Sequence, residues 1–280
     1  MADPRLTPAR GDIAAKFLEG KVEAARFVEG ETLAVCDAIA PVRAEPFAAA
    51  EQMTQALKGE LVTIYDRNGE GWAWGQLKSD QYVGWLPEAA LAKPSINTHT
   101  ISALRTFAFP GPSIKLPPVD TLLFSSAITV IREEGKFAVT REGWFVPKQH
   151  IRQIGKGEHD YVAVAERFIG TPYLWGGKSS LGIDCSGLVQ ISLNSAGYSC
   201  PRDTDMQQAA LEITITEQEY GPLRRGDLIY WKGHVAIVRD AETIVHANAF
   251  HMATAIENTR NAIARIKSDG NEVLAIKRIG

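Results

Sequence analysis

Short apolar runs that alternate with polar residues dominate the first half of the chain. The runs at 61–65 (LVTIY), 72–76 (WAWGQ) and 82–86 (YVGWL) have the length and composition of strands, with turn residues between them. A similar series recurs at 128–131 (ITVI), 137–139 (FAV) and 142–146 (EGWFV). The repetition predicts two small all-β barrels, residues 31–93 and 94–154, after an N-terminal extension, residues 1–30.

From about residue 155 the spacing of apolar residues becomes helical. The run at 161–169 (YVAVAERFI) predicts a helix that ends at Gly170, and a second helix is predicted from Cys185 to about Gly197. Four strand-like runs follow at 228–231, 235–238, 243–245 and 273–276. Helices first and antiparallel strands afterwards predict an α+β domain over residues 155–280.

Composition and charge limit the kinds of molecule that we expect the protein to bind. The chain has 280 residues, 45% of them hydrophobic, and a formal net charge of −3. A chain of this length and composition can bury a sizeable core. We expect no nucleic-acid partner, because the sequence has no basic stripe. We expect no membrane partner, because it has no apolar window of the ~20 residues that a bilayer span requires. The polar residues 1–10 lack the apolar region of a secretory signal, so we expect a cytoplasmic protein.

The three cysteines predict no disulfide framework. Cys36 lies in a strand-like run and is expected to be a small core residue, and Cys200 is also expected to be inert. A redox pair of Cys185 and Cys200 is the alternative interpretation. Metal-ligand spacing is absent from the sequence, so neither a metal nor another cofactor is predicted.

Residues 173–189 (YLWGGKSSLGIDCSGLV) are the most informative part of the chain. A Gly-rich aromatic loop leads directly into Cys185 at the predicted start of a helix. Unpaired backbone N–H groups and the helix dipole favour a negative charge there, so the position predicts a thiol pKa below the ordinary ~8.5. Asp184 is expected to cap this helix by accepting from the N–H of Gly187.

Two downstream histidines complete a candidate cysteine–histidine arrangement. His234 is the candidate base, and His246 would orient its ring through the other nitrogen. In a hairpin, both side chains face one side only if paired residue numbers add to an even value, which requires an odd-length loop or a bulge near 240–242. Asn248 and His251 are alternatives to His246 in the orienting role.

Each candidate site residue also has a purely structural interpretation. A cysteine at a helix start or a histidine on a strand is structural more often than catalytic, and Tyr173 and Trp175 are either walls of a cleft or core aromatics. Arg202 has the fork geometry to hold a substrate carboxylate, or it forms a surface ion pair with Asp203.

A family resemblance follows from six motifs that recur in a fixed order. The motifs are 173–177 (YLWGG), 184–189 (DCSGLV), 201–204 (PRDT), 225–229 (RGDLI), 233–237 (GHVAI) and 245–247 (VHA). In them, residues 155–280 resemble the NlpC-type papain-like peptidases that cut bacterial cell-wall peptides. The resemblance implies Cys185 as nucleophile, His234 as base and His246 as orienting residue. It also implies cleavage between the γ-carboxyl of D-Glu and a diamino acid such as meso-diaminopimelate.

Residues 31–154 resemble paired bacterial SH3-like barrels. Family members with such barrels often require a free N-terminal L-Ala on a short muropeptide. The resemblance implies that Tyr82 and an acidic residue, Glu51 or Glu45, contact the substrate from the first barrel. In the C-terminal domain it implies substrate contacts by Asp184 and Ser186 at the amine, by Arg202 at the α-carboxylate of D-Glu, and by Tyr173, Trp175 and Asp203 along the cleft.

The function expected from the sequence is therefore a cytoplasmic cysteine endopeptidase that recycles cell-wall peptides, with a small murein peptide as its substrate. Two alternatives remain open. An amidase or acyltransferase would use the same Cys–His pair for another reaction, and a peptide-binding module would carry an inactive third domain.

Overall fold

The structure is a computed structural model, and it describes residues 3–211, 213–215 and 223–279. Parts of the predicted N-terminal extension (residues 1–2) and of the predicted C-terminal domain (residues 212, 216–222 and 280) lie outside the described residues. The chain divides into two compact units, Met1–Lys156 and Gly157–Gly280. In the part of the chain that is described, no helix is both long enough and apolar enough to cross a bilayer.

The first unit consists of β-strands joined by turns and single turns of 3-10 helix. The 3-10 turns are Lys16–Leu18, Glu88–Ala90 and Lys148–His150. The strands are β1 (Ala14–Ala15), β2 (Phe27–Val28), β3 (Glu31–Val35), β4 (Ile39–Arg43), β5 (Gln52–Leu57), β6 (Leu61–Arg67), β7 (Trp72–Leu77), β8 (Val83–Pro87), β9 (Leu91–Ala92), β10 (His99–Ile101), β11 (Arg105–Ala108), β12 (Asp120–Leu123), β13 (Ala127–Ile128), β14 (Val130–Glu134), β15 (Phe137–Thr140), β16 (Phe145–Pro147) and β17 (Ile151–Gln153).

A seven-stranded sheet in the order β5-β4-β8-β7-β6-β3-β9 holds the core of residues 31–92. Trp72 and Trp74 are two residues apart and so lie on the same face of β7, where Trp74 is buried and Trp72 is half-buried. Trp74 and Trp85 pack together with Ile13, and the Arg10 guanidinium lies 4.5 Å from the centre of the Trp74 ring. Trp74 and Trp85 therefore form part of the core of this unit.

Strands β10 to β17 form smaller sheets, in the orders β13-β10-β17, β11-β12 and β14-β15-β16. The strand predicted at 128–131 is interrupted at Thr129, where the chain leaves β13 and joins a different sheet as β14. The Thr129 hydroxyl donates to the carbonyl of Ile96 at 2.9 Å, so its side chain holds the crossing point in place. The division of this unit into two barrels between residues 93 and 94 stays a prediction.

The second unit combines helices with one antiparallel sheet. Its helices are α1 (Tyr161–Arg167), α2 (Cys185–Ser195), α3 (Thr204–Ala210) and α4 (Thr259–Ser268). Its strands are β18 (Lys178–Ser179), β19 (Gly182–Ile183), β20 (Ile213–Ile215), β21 (Leu228–Trp231), β22 (His234–Val238), β23 (Thr243–Asn248), β24 (Ala253–Asn258) and β25 (Ala275–Arg278). The main sheet has the order β20-β25-β21-β22-β23-β24.

Helix α2 packs on β22 and β23 in the middle of this sheet, and most of its side chains are buried. Helix α1 ends close to Gly170, which has the positive φ that the predicted terminator requires.

Helix α4 was not predicted. It begins after the Asn258 cap and buries Ala262 and Ile266 in a core cluster with the sheet, so tertiary packing of a narrow apolar face stabilises it.

Candidate active site

Cys185 begins α2, as predicted from the sequence. Its thiol is buried, and Sγ lies 3.9 Å from the carbonyl oxygen of Gly233, at the entry to β22. The backbone N–H groups of Val235 and Ser186 also point to the sulfur. The nucleophile candidate is therefore held between the amino end of a helix and the first residues of the strand that carries His234.

The pKa of the thiol departs from the prediction. Burial raises the pKa of Cys185 to about 12, and the carboxylate of Asp184 adds to the rise. The amides of Val235 and Ser186 lower it, but burial outweighs them. The prediction of a lowered thiol pKa was wrong. A helix start stabilises a thiolate only where water or hydrogen-bond donors replace the solvation that burial removes.

The two histidines lie side by side on one face of the sheet. The register pairs Val238 with Ile244, so the residue numbers add to an even value, and the predicted parity condition is met. Backbone N–H groups of Arg239 and Asp240 donate to the carbonyl of Thr243 in the connecting loop. Nε2 of His234 lies 2.9 Å from Nδ1 of His246, within hydrogen-bond distance.

Glu257 extends this pair and was missed in the sequence. Its Oε2 lies 3.1 Å from Nε2 of His246, and the Arg265 guanidinium donates to both of its carboxylate oxygens. β24 pairs Glu257 with Ile244, two residues from His246 on the same face. Had residues 253–258 (ATAIEN) been identified as a strand, its period of two would have placed Glu257 on the same face as His246.

The hydrogen bonds set the tautomers of both rings. Burial raises the pKa of Glu257, but hydrogen bonds and charge from Arg265 outweigh it and hold that pKa below the usual range. The ionised carboxylate only accepts, so Nε2 of His246 carries a proton and its Nδ1 accepts from Nε2 of His234. Nδ1 of His234 is then left with a lone pair, as a general base requires.

Burial also keeps both rings neutral. It lowers the pKa of His234 to about 3, and the charges of His246 and Arg265 act in the same direction. Burial lowers the pKa of His246 to about 4, although Glu257 opposes this. A lone thiolate or a lone imidazolium is thus disfavoured here, whereas proton transfer from Cys185 to His234 creates two charges that stabilise each other.

The described contacts do not include a hydrogen bond from the Cys185 thiol to His234. The thiol contacts the backbone on either side of His234, while that ring contacts His246. The Cys185 thiol and the His234 ring therefore lie in one site but are not joined by a hydrogen bond among these contacts. Catalytic hydrogen bonds are often long or poorly aligned before substrate binds.

The structure corrects the role predicted for Arg202. Its guanidinium is buried and donates to both carboxylate oxygens of Asp184, to the hydroxyl of Ser186 and to the carbonyl of Gly177. Arg202 is therefore committed to holding the helix start, and it does not face a cleft as a clamp for a substrate carboxylate. It forms a buried ion pair with Asp184, 18 residues before it, which the sequence did not predict.

Asp184 caps α2 as predicted, with Oδ1 2.7 Å from the N–H of Gly187. Its other oxygen, Oδ2, accepts from the N–H of Gly176 at 2.9 Å, and the Ser186 hydroxyl donates to Oδ1 at 3.3 Å. Asp184 and Ser186 thus share one buried network beside the thiol, and their contact with a substrate amine stays a prediction.

The remaining predicted contacts of this unit border the same region. Tyr173 is half-buried, and burial together with the nearby Cys185 raises the pKa of its hydroxyl. Trp175 is 61% exposed, which is consistent with a cleft wall and not with a core aromatic. Asp203 is half-buried and directly precedes α3, a short helix that was not predicted.

Tyr82 and Glu51 belong to the first unit. Tyr82 is buried, and its backbone N–H donates to Asp80 at 3.1 Å. Glu51 is exposed at the start of β5, and the alternative Glu45 is exposed in the preceding loop. Substrate contact by Tyr82 and by either glutamate stays a prediction.

The alternatives for the orienting role lie beside His246. Asn248 accepts from the N–H of His251 at 2.8 Å, and His251 Nδ1 also lies 2.9 Å from its Oδ1. His246, His251 and Glu257 bring ligand atoms within 4.8 Å of one another, which is close enough for a shared metal ion. Arg265 already pairs with the Glu257 carboxylate, and its positive charge opposes a divalent cation there.

The other two cysteines take no part in this arrangement. Cys185 and Cys200 are both free and buried, and the Cys200 thiol points to the carbonyl of Pro201. Cys36 is half-buried, not fully buried as expected for a core residue, because it lies just beyond β3 with its thiol 3.7 Å from the carbonyl of Ala89.

Comparison with known families agrees with this geometry. Residues 170–267 match the NlpC/P60 family, and residues 42–91 match the bacterial dipeptidyl-peptidase Sh3 domain. The second unit contains an NlpC/P60 domain. A bacterial SH3 domain precedes it.

Solved structures show the same fold. The crystal structure of an NlpC/P60 family protein from Bacillus cereus ATCC 10987 matches with a TM-score of 0.75 at 19% identity, over 89% of this chain and 99% of that one. An NlpC/P60 endopeptidase from Photobacterium damselae subsp. piscicida matches with a TM-score of 0.57 at 13% identity, over 87% of this chain and 70% of that one. The predicted α+β class with a papain-like domain is confirmed.

Curated relatives match parts of the chain. A gamma-D-glutamyl-L-lysine dipeptidyl-peptidase from Bacillus subtilis (strain 168) is 29% identical over 196 residues, which are 64% of this chain and 63% of that protein. Dipeptidyl-peptidase 6 from Lysinibacillus sphaericus is 36% identical over 118 residues, 41% of this chain and 42% of that protein. The matches thus span less than two thirds of the length of either relative.

Proposed function

We propose that this protein is a cysteine peptidase that hydrolyses the bond between the γ-carboxyl of D-Glu and a diamino acid in small cell-wall peptides. The observation that carries the proposal is the chain of contacts from Glu257 through His246 to His234, beside the capped thiol of Cys185. The Bacillus subtilis relative is named a gamma-D-glutamyl-L-lysine dipeptidyl-peptidase, which supports the same bond type.

The first step is acyl transfer to the thiol. Sγ of Cys185 attacks the γ-carbonyl carbon while its proton passes to Nδ1 of His234. The carbonyl oxygen becomes an oxyanion, and the unpaired N–H of Cys185 at the start of α2 is a natural donor to it. When the tetrahedral intermediate collapses, the C–N bond breaks and His234 gives its proton to the departing amine.

The second step releases the acyl group. Water attacks the thioester carbonyl and gives a proton to Nδ1 of His234. The C–S bond then breaks, the D-Glu γ-carboxylate leaves, and the thiol recovers the proton. Throughout both steps, Glu257 keeps the proton of His246 on Nε2 and so keeps the lone pair of His234 directed away from His246.

Recognition of a free N-terminal L-Ala is the finer part of the proposal. It assigns the substrate amine to Asp184 and Ser186, and to Tyr82 with Glu51 or Glu45 of the first unit. Because Arg202 is fully engaged with Asp184, the proposal no longer assigns it the D-Glu α-carboxylate. Recycling of cell-wall peptides in the cytoplasm would follow from such a preference.

Mass spectrometry of a peptide digest tests the proposal. The full-length protein is incubated with L-Ala-γ-D-Glu-meso-diaminopimelate, with its L-Lys counterpart and with the N-acetylated form of each. We expect L-Ala-D-Glu and free diamino acid from the free-amine peptides only, and no products with Cys185→Ala.

The outcomes separate the parts of the proposal. Cleavage of acetylated peptides at the same rate would remove the amine requirement and retain the peptidase. Unchanged cleavage by Cys185→Ala would remove the mechanism. Absence of cleavage in all four peptides would favour the amidase, acyltransferase or binding-module alternatives.

A further inference from the structure

A cavity lies within residues 105–150 of the first unit, far along the chain from the candidate active site. Its volume is about 600 Å³. Its apolar lining comprises Phe107, Phe109, Pro112, Ile114, Phe137 and Pro147. We name it the Phe107 pocket. Its size and apolar character are those of small-molecule sites, which usually measure ~300–1,000 Å³.

One wall of the Phe107 pocket is a row of aromatic rings packed edge to face. The ring of Phe107 lies 6.4 Å from that of Phe109, which lies 6.3 Å from that of Phe137. Phe137 in turn packs on Phe145 at 6.2 Å. Phe109, Phe137 and Phe145 are buried, whereas Phe107 is 50% exposed. The wall is therefore preformed by the core, and only its outermost ring faces the opening.

The opposite wall is the connection between β11 and β12, a loop rich in proline. Ile114 in this loop is 75% exposed and lines the cavity together with Pro112. Each proline of this loop has a fixed φ angle. Leu116 packs closely over Gly111, since a Cβ added to Gly111 would lie 2.9 Å from the Leu116 side chain. Two large exposed apolar side chains, from different elements, thus face the same space, which is the pattern of a binding surface.

The charged residues that line the Phe107 pocket are all basic. Arg105, Lys115 and Lys136 line it, and its lining contains neither Asp nor Glu. All three side chains are exposed, and within the described residues none of them forms an ion pair. A local excess of three positive charges on a chain of net charge −3 favours an anion at the rim.

We propose that the Phe107 pocket binds a small amphipathic anion. An aryl or branched alkyl group would fill the space between Phe107 and Ile114, and a carboxylate, sulfonate or phosphate would pair with Lys115, Lys136 or Arg105 at the rim. The proposal is independent of the peptidase reaction, since none of the residues that line this pocket is assigned to that reaction or to its substrate.

Titration of the full-length protein with 1-anilinonaphthalene-8-sulfonate, a fluorescent apolar anion, tests the proposal. We expect one saturable site. Charge reversal by Lys115→Glu with Lys136→Glu should weaken the affinity by about tenfold or more, because attraction at the rim becomes repulsion. Phe107→Ser should also weaken it, because it removes apolar contact area.

A matched control separates this effect from the charge of the whole protein. Lys21→Glu with Lys78→Glu changes the net charge equally at two exposed positions outside the pocket, and it should leave the affinity unchanged. Two competitors then test the choice of an anion: naphthalene-1-sulfonate should displace the fluorescent probe, whereas 1-naphthylmethylammonium should not.

Either of two results would overturn the proposal. Equal displacement by the cationic and the anionic competitor would show an apolar surface without charge selection. An affinity that Lys115→Glu with Lys136→Glu leaves unchanged would place the probe elsewhere. Circular dichroism of each variant verifies that the fold is retained.

Discussion

Nε2 of His246 lies 3.1 Å from Oε2 of Glu257, and the imidazole side chain is completely buried at this contact. The pair has one chemically sensible arrangement of protons, because the carboxylate accepts and the ring nitrogen donates. That arrangement determines which nitrogen of His234 is free to act as a base. Glu257 is therefore a positioning residue for the reaction, although it touches neither the thiol nor a substrate.

Replacement of Glu257 by Gln should lower kcat by roughly one to three orders of magnitude with little change in KM. The Gln amide can donate to His246, which would reverse the tautomers and put a proton on Nδ1 of His234. Peptide cleavage measured over a range of substrate concentrations gives the two constants. Glu272→Gln, at an exposed carboxylate of the same unit, is the control. An unchanged kcat would show that Glu257 serves only packing.

The buried His246 should make the protein less stable in acid. Its pKa is about 4 in the folded state and ~6.5 when unfolded, so between these values the unfolded chain binds more protons. Its contribution to stability is therefore complete above pH 6.5 and is lost as the pH falls towards 4, with a slope of up to ~1.4 kcal/mol per pH unit.

Urea unfolding at pH 7, 6 and 5 measures this slope. His246→Gln removes the titrating group, so its free energy of unfolding should fall less steeply between pH 7 and 5 than that of the wild type. His159→Gln, at an exposed histidine, should retain the wild-type slope. Identical slopes for all three proteins would contradict the assignment of His246 as a neutral buried ring.

Removal of Arg202 should chiefly affect stability. Arg202→Met leaves the carboxylate of Asp184 buried without its cation, which typically costs ~3–5 kcal/mol of unfolding free energy. Asp184→Asn with Arg202→Met should lose less than the sum of the two single changes, since neither charge is then left alone. Arg225→Met, at a half-exposed ion pair, should cost about 1 kcal/mol or less.

Urea unfolding of the wild type, Arg202→Met, Asp184→Asn and the double variant gives the free energies for this double-mutant cycle. Additive losses would mean that Arg202 and Asp184 act independently. An Arg202→Met variant of wild-type stability with a raised KM would restore the role of Arg202 as a substrate clamp, which the structure contradicts.

Gly187 should tolerate no side chain. A Cβ at this position would lie 2.3 Å from the carbonyl oxygen of Gly177 and 2.9 Å from Oδ1 of Asp184. The first of these is backbone, so Gly187→Ala must displace the start of α2, at a cost of roughly 1–3 kcal/mol, and shift the thiol of Cys185 with it. Thermal unfolding and peptide cleavage should both report the change. Gly11→Ala, where the added Cβ meets open space, should alter neither.

Local signals in the sequence sufficed for part of the site. Asp184 before an apolar run predicted a capped helix beginning at Cys185, and the structure has this cap. The parity of β22 and β23 predicted the condition under which His234 and His246 meet, and the register satisfies it. Both signals depend on residues within about a dozen positions of each other, where backbone geometry limits the alternatives.

Other parts of the site depended on distant groups. Glu257 was missed because its strand was not identified, and the buried ion pair of Arg202 with Asp184 was missed because the two residues lie 18 positions apart in the chain. Helix α3 was missed because seven residues carry too little periodicity, and α4 because only a narrow face of it is apolar.

The sequence by itself determined the capped helix start at Cys185 and the condition under which His234 and His246 share a face, because hydrogen bonds between near neighbours and the period of a strand follow from local geometry. Only the tertiary structure decided the ionisation of the thiol, the partner of Arg202 and the place of Glu257. Desolvation and ion pairing depend on which groups folding brings together, and β22 lies about fifty residues beyond Cys185 in the chain yet removes its thiol from water.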